Sequence, residues 1–212
     1  MKNDIISKPW SIQKSNDNMS LSLPSVEKIV NVLEEIKNPC HKALIALVYL
    51  TGCRISEVIR SSRYGSHMAS IRSSHFEVSE HKGHEIVKIG VRTLKKRGKK
   101  KRESFRIIPV PLEDGFNDGL NKRLLGMISD YVETLEDGEE LFKFKYSYAY
   151  KVIRKYTDWN CHWLRHLRTY HLLTHYNFRE EKVRLFMGWT DLRPLSRYSS
   201  LKWMDLVDEY YK

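Results

Sequence analysis

Between Cys161 and His171 the chain reads Cys-His-Trp-Leu-Arg-His-Leu-Arg-Thr-Tyr-His, more imidazole and guanidinium groups than a helix needs in order to fold. His162 and Arg165 stand three apart, so on a helix they project from one face and can address one ligand. That ligand suits a phosphodiester. Arg54 supplies a second guanidinium, and two such forks neutralise the charge that grows on the non-bridging oxygens of a pentacoordinate phosphate. A phenol attacks only where cations lower its pKa or a neighbour takes its proton. The segment from Met187 to Tyr198 ends in a tyrosine set among basic and hydroxyl residues. A lysine can return a proton to the departing sugar oxygen.

Each feature alone has a duller reading. A helical His and Arg pair is more often a solvated or salt-bridged face, Tyr198 is one of 12 tyrosines, and Trp189 fits an ordinary core. His162, His166, His171 and His175 recur at helical spacings that suit a metal, but no His-Glu-x-x-His pattern accompanies them. The argument rests on the combination and its order along the chain.

The elements that must position these groups follow from periodicity. Residues 1–20 are polar apart from Ile5, Ile6 and Trp10, too little apolar surface to offset ordering, and read as an arm or linker. Ser22 or Ser25 caps a helix carrying Val26, Ile29, Val30, Leu33 and Ile36, which Asn38-Pro39 ends. Ala43 to Leu50 is apolar on nearly all sides and belongs at the centre of the fold. Thr51-Gly52 stops it, and Arg54 opens the next helix, with Glu57 on its face as partner. Residues 61–74 have no period; within them, 65–70 match the remnant that cloning tags leave and carry no structural expectation.

Three strands follow, over Phe76 to Val78, Glu85 to Val91 and Phe105 to Pro111, the third restricted to an edge or ended by Pro109 and Pro111. The hairpin tip between the last two holds Lys95, Lys96, Arg97, Lys99, Lys100, Lys101 and Arg102 around Gly98, a charge density that calls for a polyanion. Helices are expected from about Gly119, closing at Glu136 to Gly138, around Lys151 to Tyr156, from the opening stretch to about Tyr176, and over Arg179 to Met187. Lys145, Lys151, Arg154 and Lys155 add phosphate-facing charge. Leu201, Met204, Val207 and Tyr210 mark an amphipathic C-terminal helix. The fold class is mainly α with a small antiparallel sheet.

The 212 residues suffice for one domain with a sizeable core. With 37 Lys+Arg against 26 Asp+Glu, the net charge of +11 points to nucleic acid. An anionic membrane surface fits less well, because the charge collects in a Gly-containing turn and not along an amphipathic helix. Cys40, Cys53 and Cys161 lack Cys-x-x-Cys spacing and read as reduced, buried thiols. With no leader pattern and no run long enough for a membrane span, the expected setting is soluble and intracellular.

In order, these boxes resemble the tyrosine recombinases, the site-specific integrases and resolvases, over about residues 21 to 205. Thr51-Gly52-Cys53-Arg54-Ile55-Ser56-Glu57 is similar to the first arginine box, and His162-Trp163-Leu164-Arg165 to the His-x-x-Arg box. Gly188-Trp189 matches the Gly-His or Gly-Trp position, and the family's nucleophile, nine residues on, falls at Tyr198. The resemblance implies Arg54 and Arg165 on the scissile phosphate, His162 managing the tyrosine's proton, and Trp189 donating its indole N–H or packing the site. Glu57 is the acidic companion, and Lys95, or alternatively Lys96, is the proton donor. The lysine turn is longer than the family pattern, and only about twenty polar residues stand where the family places a helical DNA clamp.

It further implies double-stranded DNA as partner, a homo-oligomer on DNA such as a tetrameric synapse, and neither metal nor nucleotide. The expected setting is cytoplasmic or nucleoid-associated, or a host's cytoplasm for a virus- or plasmid-encoded protein. In such recombinases the C-terminal helix packs on a neighbouring subunit. A type IB topoisomerase, which shares the chemistry, and a non-catalytic DNA-binding module are the rivals.

Overall fold

The computed structural model of the chain describes residues 24–60, 70–93, 104–113, 119–157 and 159–197. The arm at 1–20, the basic hairpin tip from Lys95 to Arg102, Tyr198 and the C-terminal helix lie outside them.

Helix α1 (Val26–Glu34) starts where Ser25 accepts the Lys28 backbone N–H, so Ser25 is the cap. Asn38-Pro39 both ends this segment and starts α2 (Pro39–Thr51): Asn38 accepts from the His41 N–H, and proline takes the first turn, where no N–H is needed. Every residue from Ala43 to Thr51 is buried. A helix apolar all round must be surrounded, and α2 packs against α1, α4 (Leu120–Val132), α5 (Tyr146–Thr157) and α6 (Cys161–Thr174). Gly52 stops it in the left-handed conformation, at φ 57°. The one-turn helix α3 (Ile55–Val58) follows at once.

Strands β1 (Phe76–His81), β2 (His84–Thr93) and β3 (Ser104–Pro111) form an antiparallel sheet in that order, leaving the proline-bearing β3 on an edge. Ile89 pairs with Phe76 on one side and Ile108 on the other, and Val91 pairs with Arg106. Ile89, Val91, Ile108 and Val110 thus share the buried face. The sheet is held to the helices by β2 against α3 and by β3 against α7 (Glu180–Met187).

Several expectations are corrected. Strand β1 runs on to His81 because Lys82 and Gly83, both at positive φ, make a tight two-residue turn into β2. Helix α4 ends at Val132, ahead of Gly138, in three-residue turns such as Thr134 N–H to the Tyr131 carbonyl. Helix α5 starts at Tyr146 and not near Lys151, its buried stripe being Ala149, Val152 and Ile153 while Tyr146, Tyr148 and Tyr150 stay exposed.

Ser70, within the stretch without period, is fully buried. Its hydroxyl donates to the Val58 carbonyl and accepts the Phe142 N–H. Beside it Ile71 donates to Val58 and accepts from Leu141, so this residue pair bridges α3 to the segment before α5. Cys53 and Cys161 are buried, and Cys40 only half-buried. No described helix is long and apolar enough to cross a membrane.

Candidate functional site

The site forms where α2, α3, α6, α7 and the sheet meet. The break at Gly52 sets Arg54 at the head of α3, and Glu57, three residues on, turns back toward it. Glu57 Oε2 accepts the Arg54 backbone N–H at 2.9 Å, and Oε1 accepts from Arg54 Nη1 at 3.0 Å. The Glu57 side chain is completely buried, whereas that of Arg54 keeps 26% of its surface exposed. One flank of the first arginine therefore faces outward while the other is held.

Arg165 reaches the same place from the second turn of α6. Its Nη1 donates to the Gly52 carbonyl at 2.5 Å and its Nη2 to the Met187 carbonyl at 2.7 Å. Its guanidinium carbon lies 5.5 Å from the centre of the Trp189 ring. Gly188, the left-handed end of α7, delivers that tryptophan. The two carbonyls belong to the residues that terminate α2 and α7, so Arg165 closes helix ends that would otherwise keep unpaired acceptors.

Arg106 completes the cluster. Its Nη2 pairs with Glu57 Oε2 at 3.1 Å, its Nε donates to the Phe186 carbonyl at 3.1 Å, and its Nη1 to Thr93 Oγ1 at 3.2 Å. Arg54, Arg106 and Arg165 thus gather around one buried carboxylate, an excess of cations that favours an anion. Burial pushes the Glu57 carboxyl up, but Arg106, the Arg54 N–H, Arg165 and Arg54 together outweigh it and hold it below the usual carboxylate range. Burial, followed by the charge of Arg54, lowers Arg165 to about 10, with Glu57 acting in the opposite direction. Behind Glu57 a cavity of about 170 Å³ opens between Arg72, His75, Arg92 and Phe105.

Of the residues expected from sequence, Arg54, Glu57, Arg165 and Trp189 come together. His162 sits exposed on the first turn of α6, its ring edge-on to His166 at 4.5 Å. His162 and Arg165 stand three apart on one unbroken helix, His162 exposed and Arg165 buried with its guanidinium on the Gly52 and Met187 carbonyls. Lys95, Lys96, Arg97, Lys99, Lys100, Lys101, Arg102 and Tyr198 lie outside the described residues. Lys145, Lys151, Arg154 and Lys155 are exposed along and beside α5.

Two buried arginines lie beyond the expected site residues. Arg106 falls in phase with Ile108 and Val110 on the inward face of β3, where a guanidinium is costly unless paired; that phase was the available signal. Arg168 is 3% exposed. It lies 5.5, 5.0 and 5.6 Å from the Tyr49, Tyr176 and Phe186 rings. Its Nε and Nη1 have no hydrogen-bond partner among the described residues, so ring faces take up part of its charge. His171 is likewise interior, between the Tyr49 hydroxyl and the Pro24 carbonyl.

No family model matches the sequence, and no curated protein matches it. The fold is similar to crystal structures of the XerH site-specific recombinase. With XerH bound to difH substrate in a pre-cleavage complex, the TM-score is 0.57 at 15% identity over 86% of this chain and 50% of that one. With the post-cleavage complex on palindromic difH substrate, it is 0.59 at 15% identity over 87% and 50%. The chain thus spans about half the length of these structures, and what it shares with them is the fold, helices around a three-stranded antiparallel sheet.

Proposed function

We propose that the chain breaks and rejoins DNA in site-specific recombination, of the integrase or resolvase type, through a 3′-phosphotyrosyl intermediate at Tyr198. The observation that carries this reading is the meeting of Arg54 and Arg165, from separate ends of the core, around buried Glu57. Closing helix ends accounts for the place of Arg165, but three guanidiniums around one carboxylate leave an excess of positive charge that a pentacoordinate phosphate would take up. The fold shared with XerH, a recombinase crystallised on its DNA before and after cleavage, supports the same reading.

In this mechanism the outward flank of Arg54 and the remaining N–H groups of Arg165 hold the scissile phosphate. His162 takes the Tyr198 proton, the phenolate oxygen attacks phosphorus, and the bond from phosphorus to O5′ breaks. Lys95 or Lys96 protonates that oxygen, leaving a 5′-hydroxyl. Trp189 packs against Arg165. A 5′-hydroxyl from a partner strand reverses the steps, so the phosphodiester energy is conserved without a nucleotide. Lys96, Arg97, Lys99, Lys100, Lys101 and Arg102 would contact backbone phosphates. Exchange between strands calls for several copies of the chain on DNA, acting in the cytoplasm where the DNA lies.

The test is a pool of nicked duplexes with a randomised core, from which covalent protein–DNA adducts are isolated. The wild-type chain should select a defined site, and Tyr198→Phe should bind that site without forming adduct. Adduct persisting in Tyr198→Phe, or none with the wild type, would overturn the proposal. Relaxation of supercoils by a lone monomer would move it to a topoisomerase.

A further inference from the structure

We infer that Arg106 is a positioning residue which, by sharing the Glu57 carboxylate, keeps the guanidinium of Arg54 turned outward toward the scissile phosphate; this rests on the recombinase reading. A carboxylate facing a single guanidinium closes on it as a two-pronged fork. Here the fork is divided. Oε1 of Glu57 holds Arg54 Nη1, while Oε2 is taken by the Arg54 backbone N–H and by Arg106 Nη2. Arg54 is thereby held by one prong, and 26% of its side chain stays exposed. Without Arg106 the second oxygen loses the guanidinium that competes with the Arg54 side chain for it, and Arg54 would be drawn back against α3.

The rest of Arg106 explains why it can hold this post. Its side chain is 9% exposed, and each of its three nitrogens already has a protein partner. Its other nitrogens are fixed by the Phe186 carbonyl and the Thr93 hydroxyl. Gly188 is moulded to it: a Cβ there would come 3.0 Å from Arg106 Cδ, on a backbone already at φ 65°. One guanidinium therefore ties the first arginine box to the turn that carries Trp189 and to the end of β2. A mere strut would need only the Phe186 and Thr93 bonds; the Glu57 bond makes Arg106 part of Arg54's geometry.

The experiment measures adduct formation with the DNA site selected by the wild-type chain, as a function of DNA concentration and pH. In Arg106→Gln the rate at saturating DNA should fall about ten- to a hundredfold, with half-saturation moving less than about twofold. Below the break that His162 sets as the base, the lower part of the acid limb of the pH–rate profile reports Glu57, and it should move up in pH because the buried carboxyl loses its leading cation. Thr93→Val, which removes only a strut bond, should leave the limb in place, and Arg106→Lys should restore it with part of the rate. An unmoved limb in Arg106→Gln, or an equal shift in Thr93→Val, would overturn the inference while leaving the recombinase reading intact. If Arg106→Gln does not fold, Arg106→Lys decides: one ammonium cannot serve Glu57, Thr93 and Phe186 together, so an unchanged rate overturns it. Absence of adduct with the wild-type chain would overturn the recombinase reading and this inference with it.

Discussion

Arg165 donates to the carbonyl of Gly52 at 2.5 Å, across 113 residues of sequence. The second arginine of the site is thereby anchored on the turn that presents the first. Helix α2 must stop at Gly52 for Arg54 to leave the core, and the carbonyl freed by that stop is where Arg165 ends. The two boxes are parts of one joint.

Gly52→Ala tests the joint. The residue stands at φ 57°, and an added Cβ would lie 2.7 Å from Met187 Cε and 2.8 Å from Met187 Sδ. The methionine tip can shift, but the left-handed strain stays. We expect a loss of about 1–3 kcal/mol in urea unfolding. Gly83→Ala, at φ 78° with nothing within 4 Å, should show the strain alone and cost less. Equal losses would mean that the Met187 contact is immaterial.

Arg165→Lys keeps the charge and loses the fork. One ammonium cannot span the Gly52 and Met187 carbonyls with the geometry of a guanidinium, so a buried acceptor is left unpaired, at a cost of about 1–3 kcal/mol. Urea unfolding should register that loss and the adduct assay a sharp drop in rate. A variant as stable as wild type would show that the two carbonyls do not need the arginine.

Much of this joint was legible in the sequence. The apolar run from Ala43 to Leu50, the stop at Gly52 and the acid at Glu57 each follow from local rules, and so does the edge position of β3. What could not be read was which cations go inside. His162 and Arg165 stand three apart on one helix, yet only the arginine is buried, its guanidinium on the carbonyls of Gly52 and Met187, both distant in sequence. Arg106 is one charge in a basic chain until strand phase and the position of Glu57 are both known. Arg168 is interior because Tyr49, Tyr176 and Phe186 happen to meet around it, a tertiary fact with no local pattern.

His171 supplies a pH dependence. Its Nε2–H donates to the Pro24 carbonyl and its Nδ1 accepts from the Tyr49 hydroxyl. Burial, followed among the lowering influences by the charges of Arg168 and His175, brings it from 6.5 to about 4, against the pull of Pro24 and Glu27. The unfolded chain therefore binds the proton more readily. Its contribution is complete above pH 6.5 and is lost as pH falls toward 4, by up to about 3 kcal/mol. Unfolding free energies across pH 7 to 4 should fall less steeply in His171→Gln than in wild type. Parallel slopes would show that the histidine is not held neutral.

Trp189 separates two roles that the sequence left open, indole donor and packing surface. Its ring lies 5.5 Å from the Arg165 guanidinium carbon, so the face is engaged whatever the N–H does. Trp189→Phe preserves a face, and its stability should stay within about 1 kcal/mol of wild type, whereas Trp189→Ala should lose about 2–4 kcal/mol with the ring. The adduct rate then decides the role. If packing on Arg165 is the function, Trp189→Phe retains most of the rate and Trp189→Ala does not. If the indole N–H donates to the phosphate, both variants lose it alike, and a stable Trp189→Phe with the rate of Trp189→Ala would move the tryptophan from the arginine to the reacting oxygen.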